Sequence, residues 1–192
     1  GDVWHYWLGK YELTMGQAAA IMAGDPETGE AGDLASGFTA LAEMMDGPTA
    51  KTKKTIGALR TTLKEMASDA KGGVKPKLAK NLARPMTGLT PDEFDARAMR
   101  YSLWRYKNGP CRAALEAKAS YKGSLGFIRP PSELEWEYAA RGGHVRVEDP
   151  GLFANELPFD RTKMSEFASF GKDFKVVGVS KRPTPAGLYD IF

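Results

Sequence analysis

The sequence predicts a mixed domain in which helices alternate with short extended runs and long loops. Three S/T-x-x-E/Q capping boxes mark helix starts at 14–17, 90–93 and 132–135, because each side chain of such a box satisfies a backbone donor of the first turn. The last third of the chain is rich in loops and holds a short apolar run, 174–179, that is typical of a strand. Hydrophobic residues make up 42% of the 192 residues and charged residues 27%, as in folded globular proteins. We therefore expect one domain with a core, or one domain with an insertion.

The first and middle parts of the chain give the element order. Alternating side chains in 1–14 predict an extended segment, which a helix to about Met22 follows. A longer helix is expected over 90–107, because a proline at its first position follows a threonine cap. A strand is expected at 126–129, just before the third capping box. The inner face of the longer helix is predicted to contain Phe94, Ala98, Tyr101 and Leu103.

Residues 30–80 are predicted to form an inserted helical hairpin with a basic surface. Apolar residues at helical spacing indicate helices near 38–45 and 55–70, which Gly-Pro and Gly-Gly pairs end. Within 49–84, ten basic residues oppose two acidic ones, so this segment carries +8 and the rest of the +3 chain carries −5. Such a surface attracts anionic partners, although no aromatic residue interleaves its lysines as a nucleic-acid stacking platform requires. Nucleic acid is therefore disfavoured as the partner, and a solvated helix face is the simpler interpretation. The residues of this candidate anionic-partner surface are Lys51, Lys53, Lys54, Arg60 and Lys64.

Residues 129–143 hold the most distinctive motif, Arg-Pro-Pro-Ser-Glu-Leu-Glu-Trp-Glu-Tyr-Ala-Ala-Arg-Gly-Gly. Ser132 caps a short helix, and the two final glycines are expected to end it in a left-handed conformation. A helix of about two turns is marginal alone, so we expect Trp136 and Tyr138 to be buried against the rest of the domain. The three alternating glutamates cannot share one face, which favours capping and surface roles over acid–base catalysis. Arg141 is expected to pair with a helix carboxylate in the interior.

This motif resembles the signature of the formylglycine-generating enzyme, or sulfatase-modifying factor, family, R-L-P-[TS]-E-x-E-W-E-Y-A-A-R-G-G, with Pro130 in place of the leucine. Two further segments are similar to family elements in the family's order. Residues 9–17 are similar to G-K-Y-E-V-T-N-x-Q, and residues 183–190 to P-N-x-x-G-L-Y-D, where Thr184 replaces the asparagine. A purely structural role at a corner of the chain is the simpler interpretation for the first segment. The signature residues are Glu12, Thr14, Gln17, Ser132, Glu135, Trp136, Glu137, Tyr138, Arg141, Gly142, Gly143, Gly187, Leu188, Tyr189 and Asp190.

The resemblance implies the family's α+β fold, a formylglycine-generating-enzyme-like variant of the C-type-lectin-like architecture with little regular secondary structure. Family enzymes use copper and dioxygen to oxidise a substrate cysteine to formylglycine, and their pair of metal-binding cysteines follows the G-L-Y-D element. This chain has one cysteine, Cys111, elsewhere, and two separated histidines, His5 and His144. A metal-thiolate oxidase needs two soft ligands. We therefore expect no catalytic, cofactor-binding or metal-binding residue in this chain, and copper or calcium only where a part beyond residue 192 supplies ligands.

Three interpretations of the function stay open. The first is a sulfatase-modifying-factor-like binding or scaffold module, a pseudoenzyme that is complete or belongs to a longer or split protein. The second is a true family oxidase, for formylglycine generation or related oxygen-dependent sulfur chemistry, whose catalytic residues lie beyond residue 192 or on a partner chain. The third is a basic adaptor that binds an anionic partner through 49–84. In each case we expect a single domain over 1–192 that has no membrane span and lies in the cytoplasm or periplasm. We also expect a protein partner or a C-terminal segment to cover its core.

Overall fold

The computed structural model describes residues 6, 8–44, 53–72, 76–110, 112–113, 127–142, 162, 164–168, 175, 177–178, 182–184 and 186–190. The chain divides into two compact units, Thr14–Pro130 and a second unit made of Gly1–Leu13 with Pro131–Phe192. The first unit contains helices α1 (Met15–Ala23), α2 (Leu34–Met44), α3 (Lys53–Lys71), α4 (Pro76–Leu82) and α5 (Pro91–Lys107). The second unit contains α6 (Glu133–Ala140) and the single turn α7 (Met164–Phe167).

The core of the first unit lies where α2 packs against both α1 and α3. Its largest fully buried side chains come from three helices and are Phe38, Leu41, Leu63, Met66 and Leu78. The crossing of α1 and α2 is close, because a Cβ atom at Gly37 would lie 2.0 Å from the carbonyl oxygen of Ala19. Residues 30–80 therefore share a core with α1, while their status as an insertion stays a prediction.

All three predicted capping boxes are confirmed. At Thr14, Thr90 and Ser132 the hydroxyl accepts a hydrogen bond from the backbone N–H three residues on, at 3.1, 3.3 and 3.3 Å. In return, the Gln or Glu side chain at that position accepts from the N–H of the cap residue, at 2.9, 2.7 and 2.8 Å. Each box fixes the first residue of its helix, so α1, α5 and α6 begin where the sequence predicts.

Helices α2 and α4 have no such box at their first turn, and the sequence did not predict the positions at which they begin. Asp33 precedes α2, and its Oδ1 accepts a hydrogen bond from the N–H of Ser36 at 2.9 Å, which lowers the pKa of this carboxyl. The helix therefore begins one turn before the apolar spacing that predicted it. The seven residues of α4 carry too short an apolar pattern to predict a helix.

The strand predictions are not confirmed by the part of the chain that the structure describes. Residues 8–13 and 127–130 form no strand there, and the one backbone pairing is an isolated antiparallel bridge between Thr14 and Pro85. Of the predicted run 174–179, the described residues 177–178 form a turn, and positions 174, 176 and 179 lie outside the described residues. The described residues are thus mostly helical, and the strand content of the α+β class stays a prediction.

The predicted inner face of α5 is confirmed only in part, and two of its residues, Phe94 and Tyr101, are half-buried. Ala98 is buried as expected, but Leu103 is 50% exposed and Ser102 is buried in its place. Ser102 lies one turn after Ala98 and therefore on the same face. Its hydroxyl accepts from the N–H of Ile128 at 2.8 Å and lies 3.0 Å from the carbonyl oxygen of Ala98. This polar anchor holds the segment before the signature against α5.

Helix α5 also fixes the loop between α1 and α2. The guanidinium of Arg100 donates to the carbonyl oxygen of Gly24 at 2.8 Å, and the indole N–H of Trp104 donates to that of Glu30 at 3.0 Å. The amide of Asn108 donates to the carbonyl oxygen of Gly29. Side chains of α5 and of its C-cap thus donate hydrogen bonds to carbonyl groups of the loop, which is not paired in a sheet. Among the described helices, none has the length and apolar character needed to cross a membrane.

Candidate functional site

The signature helix α6 ends as the sequence predicts. The backbone N–H of Arg141 donates to the carbonyl oxygen of Glu137 at 2.9 Å, and Gly142 follows with a φ of 102°. A left-handed residue just after the helix is the arrangement for which glycine is favoured. The second glycine of the pair, Gly143, lies outside the described residues.

The predicted burial of the signature aromatics is wrong. Trp136 is 44% exposed, Tyr138 is 37% exposed and Leu134 is 77% exposed. Two residues apart on a helix are about 200° apart around its axis, so Trp136 and Tyr138 cannot both face the same side. The buried side of this short helix is made by Ala139 and Ala140 instead. Leu134 and Tyr138, one turn apart, therefore form an exposed apolar pair.

Tyr6 contacts the same helix from the N-terminal segment. Its hydroxyl donates a hydrogen bond to the carbonyl oxygen of Glu135 at 3.1 Å. Burial raises the pKa of the Tyr6 phenol, and the nearby Glu135 carboxylate and Tyr138 raise it further. The sequence did not predict this contact, because the two residues are 129 positions apart in the chain.

The charged residues of α6 have structural roles. Glu135 completes the capping box, and Glu133 lies in the first turn, where a carboxylate interacts favourably with the helix dipole. Arg141 pairs with Glu137, with its Nη2 2.7 Å from Oε1. The predicted pairing of Arg141 is confirmed, but its interior placement is wrong, because the two side chains are 31% and 47% exposed. Partly exposed pairs one turn apart stabilise a helix by about 0.3–0.5 kcal/mol.

The first and third family elements meet in the second unit. The backbone N–H of Tyr189 donates to the carbonyl oxygen of Lys10 at 3.1 Å. The rings of Tyr11 and Tyr189 lie with their centroids 5.4 Å apart, and the Lys10 ammonium is 5.5 and 5.2 Å from the two centroids. This arrangement combines an aromatic pair with two cation–π contacts. Lys10 and Tyr11 were missed as interacting residues, although they lie inside the G-K-Y-E segment.

The G-L-Y-D turn is built by hydrogen bonds to Thr184. Its N–H donates to the carbonyl oxygen of Leu188 at 2.8 Å, and its buried hydroxyl oxygen accepts from the N–H of Leu188 at 3.3 Å. The N–H of Gly187, whose φ is 79°, donates to the carbonyl oxygen of Thr184 at 2.8 Å. The threonine that replaces the family's asparagine therefore still offers a side-chain oxygen acceptor to the turn.

Asp190 ends this turn with a φ of 52°. Its Oδ2 accepts from the N–H of Gly178 at 2.7 Å. A Cβ atom at Gly178, where φ is 71°, would lie 2.6 Å from the Tyr11 ring. Position 178 therefore requires a glycine, because any side chain there would overlap the Tyr11 ring while the backbone N–H binds Asp190.

The Asp190 carboxylate lies close enough to Glu12 to influence the charge of the Glu12 carboxyl. Burial raises the pKa of the Glu12 carboxyl, its own backbone N–H opposes this, and the Asp190 carboxylate raises the pKa further. Two carboxylates alone do not make a cation site. Within the described residues there is no group of three or more His, Cys, Asp or Glu side chains that could hold a metal ion.

The donor set of this chain does not fit the copper site that the family resemblance implies. Copper(I) in such a site needs two thiolates, and the sequence contains one cysteine. That residue, Cys111, lies outside the described residues, as do His5 and His144. No reaction step through copper is therefore derived from these residues.

The basic surface predicted for residues 49–84 lies mainly on α3. Lys51 is outside the described residues, and Lys53 and Lys54 form the first turn of the helix. Arg60 is half-buried and Lys64 is exposed. Lys71, at the last position of α3, is also exposed and was not among the predicted residues.

The comparison with protein families agrees with the motifs. The profile of the FGE-sulfatase family, described as a sulfatase-modifying factor enzyme 1-like domain, matches residues 2–191. No curated protein and no solved structure shows a significant match to the chain.

Proposed function

Since the chain belongs to the FGE-sulfatase family of sulfatase-modifying factor enzyme 1-like domains, we propose that it works as a binding or scaffold module without oxidase activity from its own residues. The observation that carries this proposal is the single cysteine. One thiol cannot form the two-thiolate copper site on which the family's oxidation of cysteine depends.

The roles of the family motifs support the same conclusion. Ser132 and Glu135 cap α6, Thr14 and Gln17 cap α1, and Tyr189 joins the first and third elements through Lys10. The first two contacts begin helices and the third joins distant segments of the fold, so all three have structural roles. Leu134, which is 77% exposed on α6, offers apolar surface to a partner.

A copper(I) competition titration against a chromogenic chelator, under anaerobic conditions, tests this function. We expect the chain and its Cys111→Ser variant to leave copper(I) with the chelator to the same extent, because neither offers two thiolates. The chelator's absorbance measures the copper it retains. Stoichiometric removal of copper(I) from the chelator by the unmodified chain, lost in Cys111→Ser, would overturn the proposal.

A true oxidase is the second candidate, and the nearly intact signature at 129–143 favours it. In that case the cysteine ligands come from a part beyond residue 192 or from a partner chain. The intact mass of the native polypeptide, compared with the 20.9 kDa of this chain, separates the candidates. A larger polypeptide whose additional part contains a cysteine pair would favour the oxidase, and one without such a pair would favour the binding module.

We take the fold to be the C-type-lectin-like variant that family membership implies. Backbone NMR chemical shifts of the isotopically labelled chain test this, because strand and helix shift the Cα resonance in opposite directions. The proposal expects strand shifts within the last third of the chain, where the run 174–179 predicts a strand. Helical or coil shifts throughout 151–192 would contradict it.

A further inference from the structure

Four of the five basic residues of α3 fall at nearly the same angular position on the helix, and the fifth, Lys54, lies about 100° away from them. Lys53 and Lys71 are the first and last residues of a 19-residue helix, which places them five full turns apart at about 3.6 residues per turn and thus at the same angular position. Arg60 and Lys64 fall between them within about 20° of that position. The row is about 27 Å long at about 1.5 Å per residue.

The acidic residues of the same helix lie on another side. Glu65 and Asp69 are about 120° and 160° around the axis from the basic row. The buried side of the helix, with Leu63 and Met66, faces the core. Of the row, Lys64 and Lys71 are exposed and Arg60 is half-buried. Helix α3 therefore presents Lys64 and Lys71 to solvent on one side, next to a flank that holds Glu65, Asp69 and, by its position in the helix, Lys54.

A strip of small residues runs beside the basic row. Gly57, Thr61 and Ser68 are all exposed, and a Cβ atom at Gly57 would meet nothing within 4 Å. The hydroxyl of Thr61 donates to the carbonyl oxygen of Gly57 at 3.0 Å, so it is satisfied within the helix. With Lys64, these residues stand at positions 57, 61, 64 and 68. Their spacing alternates between four and three residues, as in helices that pack along one another. Small side chains at such positions let a second backbone approach closely.

We infer that this surface of α3 binds an acidic helical segment of another protein. Carboxylates repeated at the same spacing on the partner helix lie opposite Lys64 and Lys71, while the strip of small residues receives its backbone. A nucleic-acid duplex fits less well. It would place phosphates over the flank of Glu65 and Asp69, and no aromatic residue stands in α3 to stack on a base. Such binding does not depend on whether the domain is catalytic.

Fluorescence anisotropy of the full chain with a labelled synthetic helix tests the inference. The probe carries glutamates along one face at alternating steps of three and four residues. A peptide of the same composition in scrambled order and a labelled DNA duplex are measured beside it. We expect the patterned helix to bind more tightly than both, with an affinity that falls as salt rises. Absence of binding to the patterned helix, or tighter binding of the duplex, overturns the inference.

Two variants separate charge from packing. Lys64→Glu combined with Lys71→Glu should lower the affinity for the patterned helix by at least about tenfold, because like charges then face each other. Gly57→Leu should also weaken binding, since it fills the strip without altering any charge. Lys107→Glu, an exposed substitution at the end of α5, is the matched control and should bind like the parent.

Circular dichroism shows that each variant retains its helices before binding is measured. If the charge-reversed variant binds as the parent does, the basic row is not the site. If Gly57→Leu binds as the parent does while the charge reversal abolishes binding, the partner is held by diffuse attraction and the helical mode is overturned.

Discussion

Gly37 and Gly57 form a matched pair in which the same substitution to alanine is expected to have opposite effects. Both lie inside helices, where alanine is favoured over glycine by about 0.5–1 kcal/mol. At Gly57 nothing lies within 4 Å of the added Cβ atom. Gly57→Ala should therefore raise the free energy of unfolding by about 0.5–1 kcal/mol.

At Gly37 the gain from helix propensity is outweighed by overlap. The added Cβ atom would lie 2.0 Å from the carbonyl oxygen of Ala19 and 2.7 Å from its carbonyl carbon. These are backbone atoms, so α1 and α2 must separate, and their separation loosens the packing of Phe38. Overpacking of a core costs about 1–3 kcal/mol and more where backbone must move. We expect a net loss of about 2 kcal/mol for Gly37→Ala.

Urea denaturation followed by circular dichroism measures both changes. Linear extrapolation gives the free energy of unfolding, and an unchanged slope shows that the same surface is exposed in each variant. The two variants should differ by about 3 kcal/mol. If both shift in the same direction, or if Gly37→Ala is as stable as the parent, the close crossing of α1 and α2 is refuted.

Three further substitutions, two of them paired with a control substitution, test the capping, the titration and the core. Thr90→Ala removes the hydroxyl of a capping box and should lower the free energy of unfolding by about 1 kcal/mol, measured in urea, whereas Thr39→Ala inside α2 should cost less than about 0.5 kcal/mol. Glu12→Gln should gain stability relative to the parent as pH rises from acid to neutral. The raised pKa of Glu12 means that its contribution is full below the unfolded-state pKa and is lost as pH rises through the folded-state pKa. Leu63→Ala in the core should cost about 2–5 kcal/mol, and Leu134→Ala on the exposed side of α6 less than about 0.5 kcal/mol.

Each of these expectations has a result that contradicts it. Equal losses for the two threonine variants would show that the box at α5 does not stabilise the helix. A stability difference between Glu12→Gln and the parent that stays constant with pH, in melting temperatures from acid to neutral, would remove the titration argument. A cost for Leu134→Ala as large as that for Leu63→Ala would show that α6 is covered on its outer side.

Local interactions are the part of this fold that the sequence predicted well. The capping box at Thr90 depends on two side chains three residues apart, so a short motif was sufficient to place the start of α5. The cap at Asp33 is equally local, but the residue three positions later is Ser36 rather than Glu or Gln, so the capping-box motif does not detect it. The start of α2 was therefore placed too late.

Burial was predicted less well, because it depends on which segments meet. Helical spacing alone placed Leu103 inside, yet the contact with Ile128 selected the face of Ser102. The signature aromatics were expected to be buried, but two rings two positions apart cannot both face the core of an eight-residue helix. The contact between Lys10 and Tyr189 joins opposite ends of the chain, and the family order of the motifs was the one signal that could have indicated it.

The central proposal is that this domain acts as a binding module whose own residues do not oxidise a cysteine. The most direct measurement incubates the native polypeptide with copper, dioxygen and a peptide that contains one cysteine, and follows the peptide by mass spectrometry. The account predicts that the cysteine is not converted to formylglycine, and that the Cys111→Ser variant gives the same peptide spectrum as the parent. Enzyme-dependent conversion of the cysteine to formylglycine would contradict the account and establish the oxidase.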